Sequence, residues 1–147
     1  MIQNKDPSPR VNLLVGKLKA AGYRITPQRL AIIGIVSESD QHLSVEQIYR
    51  QVQKDFPTTS LATVYNTLER LKEMDEVLVL PSSGGSRYDG RNPEPHPHLI
   101  CTACGRIEDL EIDLRTTAEL VAAERGYANV RHRLEFSGVC PQCQKRT

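Results

Sequence analysis

Residues 60–90 read SLATVYNTLERLKEMDEVLVLPSSGGSRYDG, and the change of period inside this stretch decides the fold. Leu61, Val64, Leu68 and Leu71 recur at spacings of three and four, the apolar stripe of a helix that Ser60 caps. Thr63, Asn66 and Arg70 lie opposite, with Tyr65 and Thr67 on the flanks. The apolar run Val77–Leu80, a turn over Pro81–Gly85, and Ser86–Asp89 then read as a β-hairpin. A helix with one polar face followed by such a hairpin predicts a winged helix-turn-helix.

Upstream, three further helices are expected. The first draws its apolar positions from Leu13, Leu14, Val15 and Leu18 and ends at Ala20-Ala21-Gly22. Pro27 suits the first turn of the second, which carries Leu30, Ile32, Ile33, Ile35 and Val36. Ser44 with Gln47 three residues on opens the third, through Ile48, Tyr49 and Val52, and Pro57 breaks the pattern before the fourth. Hydroxyls, an amide and a guanidinium on one face of the fourth helix suit base edges and phosphates of a major groove. An ordinary solvated helix face has the same composition. The net charge of +1 does not decide between them, but its distribution favours DNA. Residues 1–36 hold Lys5, Arg10, Lys17, Lys19, Arg24 and Arg29 against Asp6 as the lone acid.

Downstream, residues 91–97 contain Pro93, Pro95 and Pro97 and read as an extended linker between residues 1–90 and 98–147. Strand-like runs at His98–Cys101, Ile107–Leu110 and Val130–Phe136 surround one helix, with Asp113 as its N-cap and Gly126 as its stop. This half is too small to bury much core alone and calls for a metal clip and a partner subunit. The whole is an α+β chain. Its 39% hydrophobic content supports a packed core, no stretch approaches a membrane span, and 5% aromatic content argues against a large aromatic-walled ligand pocket.

The four cysteines form two pairs, Cys101-x-x-Cys104 and Cys140-x-x-Cys143. Two such turns can close a tetrahedral S4 shell around one Zn2+, a shell without an open position and therefore structural. Two disulfides would also use every thiol, but no secretory segment is read at the N-terminus, so reduced thiols and a cytoplasmic location are expected. The prolines around His96-Pro97-His98 keep the backbone extended and turn both imidazoles to one side, a common metal-binding element. With His42, Asp89 and Asp109 they make a borderline-hard N/O set suited to Fe2+ or Mn2+. Taken one at a time, His42 reads equally as a loop residue and the two aspartates as surface charge. His and carboxylate ligands with open positions also occur in non-haem iron enzymes, although no substrate pocket or cofactor motif accompanies them here.

Four motifs in order resemble the ferric uptake regulator family. They are Arg24-Ile25-Thr26-Pro27-Gln28-Arg29, Ala62-Thr63-Val64-Tyr65-Asn66, His96-x-His98-x-x-Cys101-x-x-Cys104-Gly105, and Gly138-Val139-Cys140-x-x-Cys143. The resemblance runs from about Leu13 to Cys143. It implies a homodimeric repressor without enzymatic activity. Its parts would be a winged-helix DNA-binding domain over 1–90, a hinge over 91–97, and a dimerisation and zinc-binding domain over 98–147. It implies a palindromic A/T-rich DNA operator, contacted by Arg24 at the backbone or minor groove and by Thr63, Tyr65 and Asn66 in the major groove.

Within the family, the three-His, two-Asp regulatory shell of the peroxide-sensing branch falls on His42, Asp89, His96, His98 and Asp109. Iron-sensing members typically carry Glu at the positions of Asp89 and Asp109. The implied chemistry is iron-dependent oxidation of His42 or His96 to 2-oxo-histidine by hydrogen peroxide, followed by loss of metal and release of DNA. An iron- or manganese-responsive repressor without peroxide chemistry is the neighbouring alternative. Pro95 and Pro97 stand where many iron-sensing members have further ligands, which leaves His132 as a structural or surface residue.

Overall fold

A computed structural model describes residues 6–82 and 84–146. Lys5 of the basic segment, Ser83 of the hairpin turn and Thr147 at the end of the second domain lie outside the described residues. The chain divides into two compact units, the first ending at Pro93 and the second beginning at Glu94.

The first unit opens with α1 (Pro9–Ala20), where Ser8 caps the Val11 N–H and Pro9 needs no partner for a missing one. Val11, Leu14 and Leu18 are buried, whereas Leu13 is 50% exposed because it sits one position off that row. Thr26 and Pro27 start α2 (Pro27–Glu38), whose Ile32, Ile33 and Val36 enter the core while Leu30 faces outward. Leu43–Ser44 form β1, a two-residue strand too short for any sequence pattern to mark. Ser44 then caps α3 (Val45–Asp55) in a reciprocal box: its hydroxyl accepts from Gln47 N–H, and the Gln47 amide oxygen accepts from Ser44 N–H.

Ser60 caps α4 (Leu61–Glu73), which buries Val64, Leu68 and Leu71. Leu61, expected in this stripe, is 40% exposed in the first turn. Thr67 replaces it as the fourth buried position, its hydroxyl donating to the Thr63 carbonyl at 2.7 Å. The hairpin is β2 (Leu78–Leu80) and β3 (Arg87–Asp89), and β1 adds to it antiparallel in the order β1-β3-β2. Helices α1 to α4 close one core around Leu14, Ile32, Ile33, Ile48, Val64 and Leu68. Each of these side chains contributes roughly 1.5–3 kcal/mol by leaving water. Helices followed by a three-stranded wing are the winged helix-turn-helix that residues 60–90 predicted.

The second unit is a sheet in the order β5-β4-β6, made of β4 (His98–Cys101), β5 (Ile107–Asp109) and β6 (Glu135–Gly138). Strand β5 pairs with β4 antiparallel and β6 pairs with it in parallel, so α5 (Arg115–Arg125) lies in the crossover between β5 and β6. The strand expected at Val130–Phe136 therefore begins later. Val130 and Leu134 flank the polar run Arg131-His132-Arg133, and β4 pairs in register only with residues 135–138. The start of α5 is also corrected. Leu114 occupies the cap position, and Asp113 sits one residue earlier, its Oδ1 accepting from Arg115 N–H at 2.9 Å. Gly126 ends the helix with φ +70°, a conformation that costs glycine nothing. A short helix, α6 (Pro141–Gln144), follows β6. Among the described residues of this unit only Pro97, His98 and Cys101 are buried. Leu120, Val121, Tyr127 and Phe136 are each 44% exposed or more. Among the described residues, no helix is long and apolar enough to cross a membrane.

Candidate metal centres and nucleic-acid interface

Parallel pairing of β4 with β6 aligns Cys101 with Gly138, which brings Cys140 beside the end of β4. Each Cys-x-x-Cys segment forms a turn closed on its first cysteine: Gly105 N–H bonds to the Cys101 carbonyl at 2.9 Å, and Gln144 N–H to the Cys140 carbonyl at 3.0 Å. Cys140 N–H reaches across to Cys101 Sγ at 3.3 Å. All four sulfurs lie within 4.8 Å of one another, with Cys104 Sγ 3.9 Å from Cys140 Sγ. A tetrahedral zinc thiolate has Zn–S bonds of about 2.3 Å and hence sulfurs about 3.8 Å apart. A disulfide needs about 2.05 Å, and all four cysteines are free thiols.

Electrostatics agree with a cation site. Backbone N–H groups of Cys140 and Cys104 lower the Cys101 thiol to about 6, outweighing burial. Hydrogen bonds with the Cys140 and Cys104 sulfurs, which stabilise the protonated form, push Cys143 up to about 12. The cage thus makes one thiolate readily and resists the last, unless a divalent cation balances the charge. The four-cysteine cage fits Zn2+.

A second set of ligand-type side chains occurs in two parts. In the first unit, Leu43 pairs with Tyr88, so His42 stands beside Asp89, with Nε2 3.4 Å from Oδ2. Asp89 Oδ1 accepts from the backbone N–H of Arg91 at 3.0 Å and of Asn92 at 3.1 Å, leaving Oδ2 turned toward His42. In the second unit, His98 and Asp109 are register partners across β4 and β5. His96 Nε2 and His98 Nε2 stand 3.1 and 3.4 Å from the same Asp109 Oδ1, with ring centroids 4.4 Å apart. His96 Nδ1 lies 2.7 Å from the Glu94 carbonyl. A carbonyl can only accept, so Nδ1 donates there, which leaves Nε2 as the ring nitrogen turned toward Asp109 and the one a cation would meet. The donor atoms of His96, His98 and Asp109 lie within 4.8 Å of one another. Imidazole and carboxylate donors suit Fe2+ or Mn2+, with Zn2+ as a competitor. His132 is half-buried in the irregular segment before β6.

On α4, Tyr65 is 46% exposed and Asn66 is exposed, whereas Thr63 is half-buried with its hydroxyl 2.8 Å from Ser60 Oγ. Arg24 is exposed, its carbonyl accepting from Arg29 Nη1 at 2.6 Å. Arg70 lies 4.5 Å over the Tyr23 ring and pairs with Glu73 at 3.0 Å. Arg29 lies 6.0 Å from the same ring. Sequence reading passed over Tyr23, whose neighbours in the chain say nothing of the two guanidiniums it gathers.

A winged helix, a four-cysteine cage and a histidine–aspartate ligand set define a metal-responsive regulator, and the chain belongs to the ferric uptake regulator family, whose pattern matches residues 20–137. It is 37% identical over 134 residues to the peroxide-responsive repressor PerR of Staphylococcus aureus, covering 90% of both chains. Among solved structures, the ferric uptake regulator of Helicobacter pylori superposes with a TM-score of 0.78 at 25% identity, over 98% of this chain and 97% of that one. That protein has three functional metal binding sites. The peroxide stress regulator of Campylobacter jejuni gives a TM-score of 0.70 at 28% identity, over 90% of this chain and 98% of that one.

Proposed function

We propose that the chain is a homodimeric, metal-dependent repressor that releases DNA when hydrogen peroxide oxidises a histidine at its regulatory metal. The observation that carries this reading is the convergence of His96 and His98 on the Asp109 carboxylate, with a second His–carboxylate pair at His42 and Asp89. We assign all five to one Fe2+ or Mn2+ that joins the two units, and Cys101, Cys104, Cys140 and Cys143 to a structural Zn2+. The similarity to peroxide-responsive PerR supports the peroxide reading over simple iron or manganese sensing.

Joining the units fixes the two recognition helices of a dimer at the spacing of operator half-sites, a geometry the metal-free protein samples only part of the time. Dimer symmetry calls for a palindromic, A/T-rich operator. The second unit supports the dimer, because α5 and β6 expose apolar side chains that a partner copy would cover. Asn66 and Tyr65 face the major groove with Thr63, and Arg24 takes the backbone or minor groove. The iron, when bound, supplies the redox chemistry. His42 and His96 would hold it, which would bring their rings within reach of the oxidant. One oxygen atom is added to the imidazole and water is the other product. The oxidised ring binds metal poorly, the units part, and DNA is released. We infer a cytoplasmic location, which reduced thiols and a DNA target support.

The test is fluorescence anisotropy on a palindromic A/T-rich duplex. Zinc-loaded protein is charged anaerobically with Fe2+ or Mn2+ and then given a small excess of hydrogen peroxide. The iron form should release DNA and gain one oxygen on His42 or His96 by mass spectrometry, while the manganese form holds. Retention by both forms would make this a metal-level sensor instead.

A further inference from the structure

Asp89 is fixed from behind as well as from in front. Because Oδ1 accepts two backbone N–H groups, the direction of Oδ2 depends on the peptides around Gly90. That backbone lies directly on the C-terminal turn of α2: a Cβ at position 90 would stand 3.0 Å from the Val36 carbonyl oxygen. From the other side Arg10 Nε donates to the Gly90 carbonyl at 3.0 Å. The same guanidinium donates through Nη1 to Glu76 Oε2 at 2.7 Å and through Nη2 to the Glu76 carbonyl at 2.8 Å. Lys17 Nζ donates to Glu76 Oε1. Glu76 is only 6% exposed. Burial alone would raise its pKa, but the hydrogen bonds from Lys17 and Arg10 outweigh that and hold it below the usual carboxylate range.

We propose that Arg10 is a positioning residue for the regulatory cation: by gripping Gly90 and Glu76 together it sets the direction of the Asp89 carboxylate and thereby the metal affinity. The proposal rests on the assignment of His42 and Asp89 as ligands. It gives α1 a part in metal sensing, although no residue of α1 is a ligand. Arginine is needed because its planar fork serves three acceptors in fixed directions. A lysine keeps the charge beside Glu76 but cannot also hold a carbonyl that lies elsewhere.

The experiment is Mn2+ binding to zinc-loaded, full-length protein, followed by the EPR signal of free Mn2+, with zinc content and the melting of Mn2+-free protein measured alongside. Arg10→Lys should weaken Mn2+ binding about tenfold, the lower end for losing a group that orients a ligand, with zinc content unchanged. Lys17→Met removes the other partner of Glu76 without touching Gly90, and should leave Mn2+ affinity as in the wild type. Gly90→Ala shifts the same peptide from the opposite side and should weaken Mn2+ binding as Arg10→Lys does. His42→Ala should abolish it. Wild-type affinity in both Arg10→Lys and Gly90→Ala overturns the proposal, as does an equal loss in Arg10→Lys and Lys17→Met, which would mean general loosening. If His42→Ala itself binds Mn2+ normally, the ligand assignment falls first, and the clamp with it.

Discussion

Asp89 has two jobs that one substitution can separate. Its Oδ1 caps the turn at Arg91 and Asn92, and its Oδ2 faces His42. Asp89→Asn keeps a carbonyl oxygen for the two backbone donors and replaces Oδ2 with an amide nitrogen, which cannot ligate a cation. Asp89→Ala removes both functions. Each backbone hydrogen bond is worth about 1 kcal/mol net. Asparagine should therefore cost less than about 1 kcal/mol in metal-free stability, and alanine about 2 kcal/mol or more. Losing an orienting group costs roughly 10–100-fold in metal affinity, so losing a ligand oxygen should cost at least about 100-fold in both variants. Urea unfolding of the zinc-loaded, Mn2+-free protein gives the first quantity, and Mn2+ titration by EPR gives the second. Equal destabilisation by asparagine and alanine would refute the account of the turn. Mn2+ binding by Asp89→Asn within threefold of wild type would refute Oδ2 as a ligand.

Asp109→Glu moves the carboxylate outward by about 1.5 Å, one carbon–carbon bond, from the point where His96 and His98 meet it. This variant should keep metal-activated DNA binding but release DNA far more slowly in peroxide; release at the wild-type rate would remove the role of carboxylate length. Glu76→Gln should cost about 2 kcal/mol near neutral pH, since two cations lose a largely buried partner. The Glu76 pKa is held below the ordinary glutamate value by the hydrogen bonds from Lys17 and Arg10, which outweigh burial. Its contribution is therefore complete above that value and fades as pH falls through the folded pKa, so the gap between wild type and variant should close in acid. Thermal melts from pH 7 down to about pH 3 measure it. Tyr65→Ala, at a 46% exposed position, should weaken operator binding by about 1–3 kcal/mol and leave the melting temperature unchanged.

Local chemistry was legible where it acts over a few residues. Pro27, Ser44 with Gln47, and Ser60 each mark a helix start because the unpaired N–H groups of a first turn are met within a few residues, whereas the Thr26 cap beside Pro27 emerged with the structure. The winged helix followed from a period change inside one stretch. What escaped depends on partners distant in the chain. Strand β1 exists only because β3 lies beside it, and β6 begins at Glu135 because β4 sets the register. Val130 and Leu134 bracket a basic run that resembles a strand from within, yet of residues 130–134 only the Leu134 carbonyl, accepting from His98 N–H at 3.2 Å, meets β4. Both Cys-x-x-Cys pairs and the His-x-His pair were visible as spacings. The fork of Arg10 was not, since Gly90 and Glu76 lie 80 and 66 positions away and carry no mark of it.

The cysteine cage has a consequence for the unfolded chain. Cys104 and Cys140 are 36 positions apart, and the segment between them carries β5, α5 and the irregular run before β6. A cross-link closing a loop of that length removes roughly 4 kcal/mol worth of conformational entropy from the denatured ensemble in the chain-entropy picture. That is comparable to the burial of two core leucines, in a unit that buries almost none. Zinc at this cage would therefore act mainly by impoverishing the alternatives open to residues 104–140, and its removal would enlarge them. Stripping zinc should open α5 and the run before β6 to proteases while the helical first unit, with its own core, stays closed.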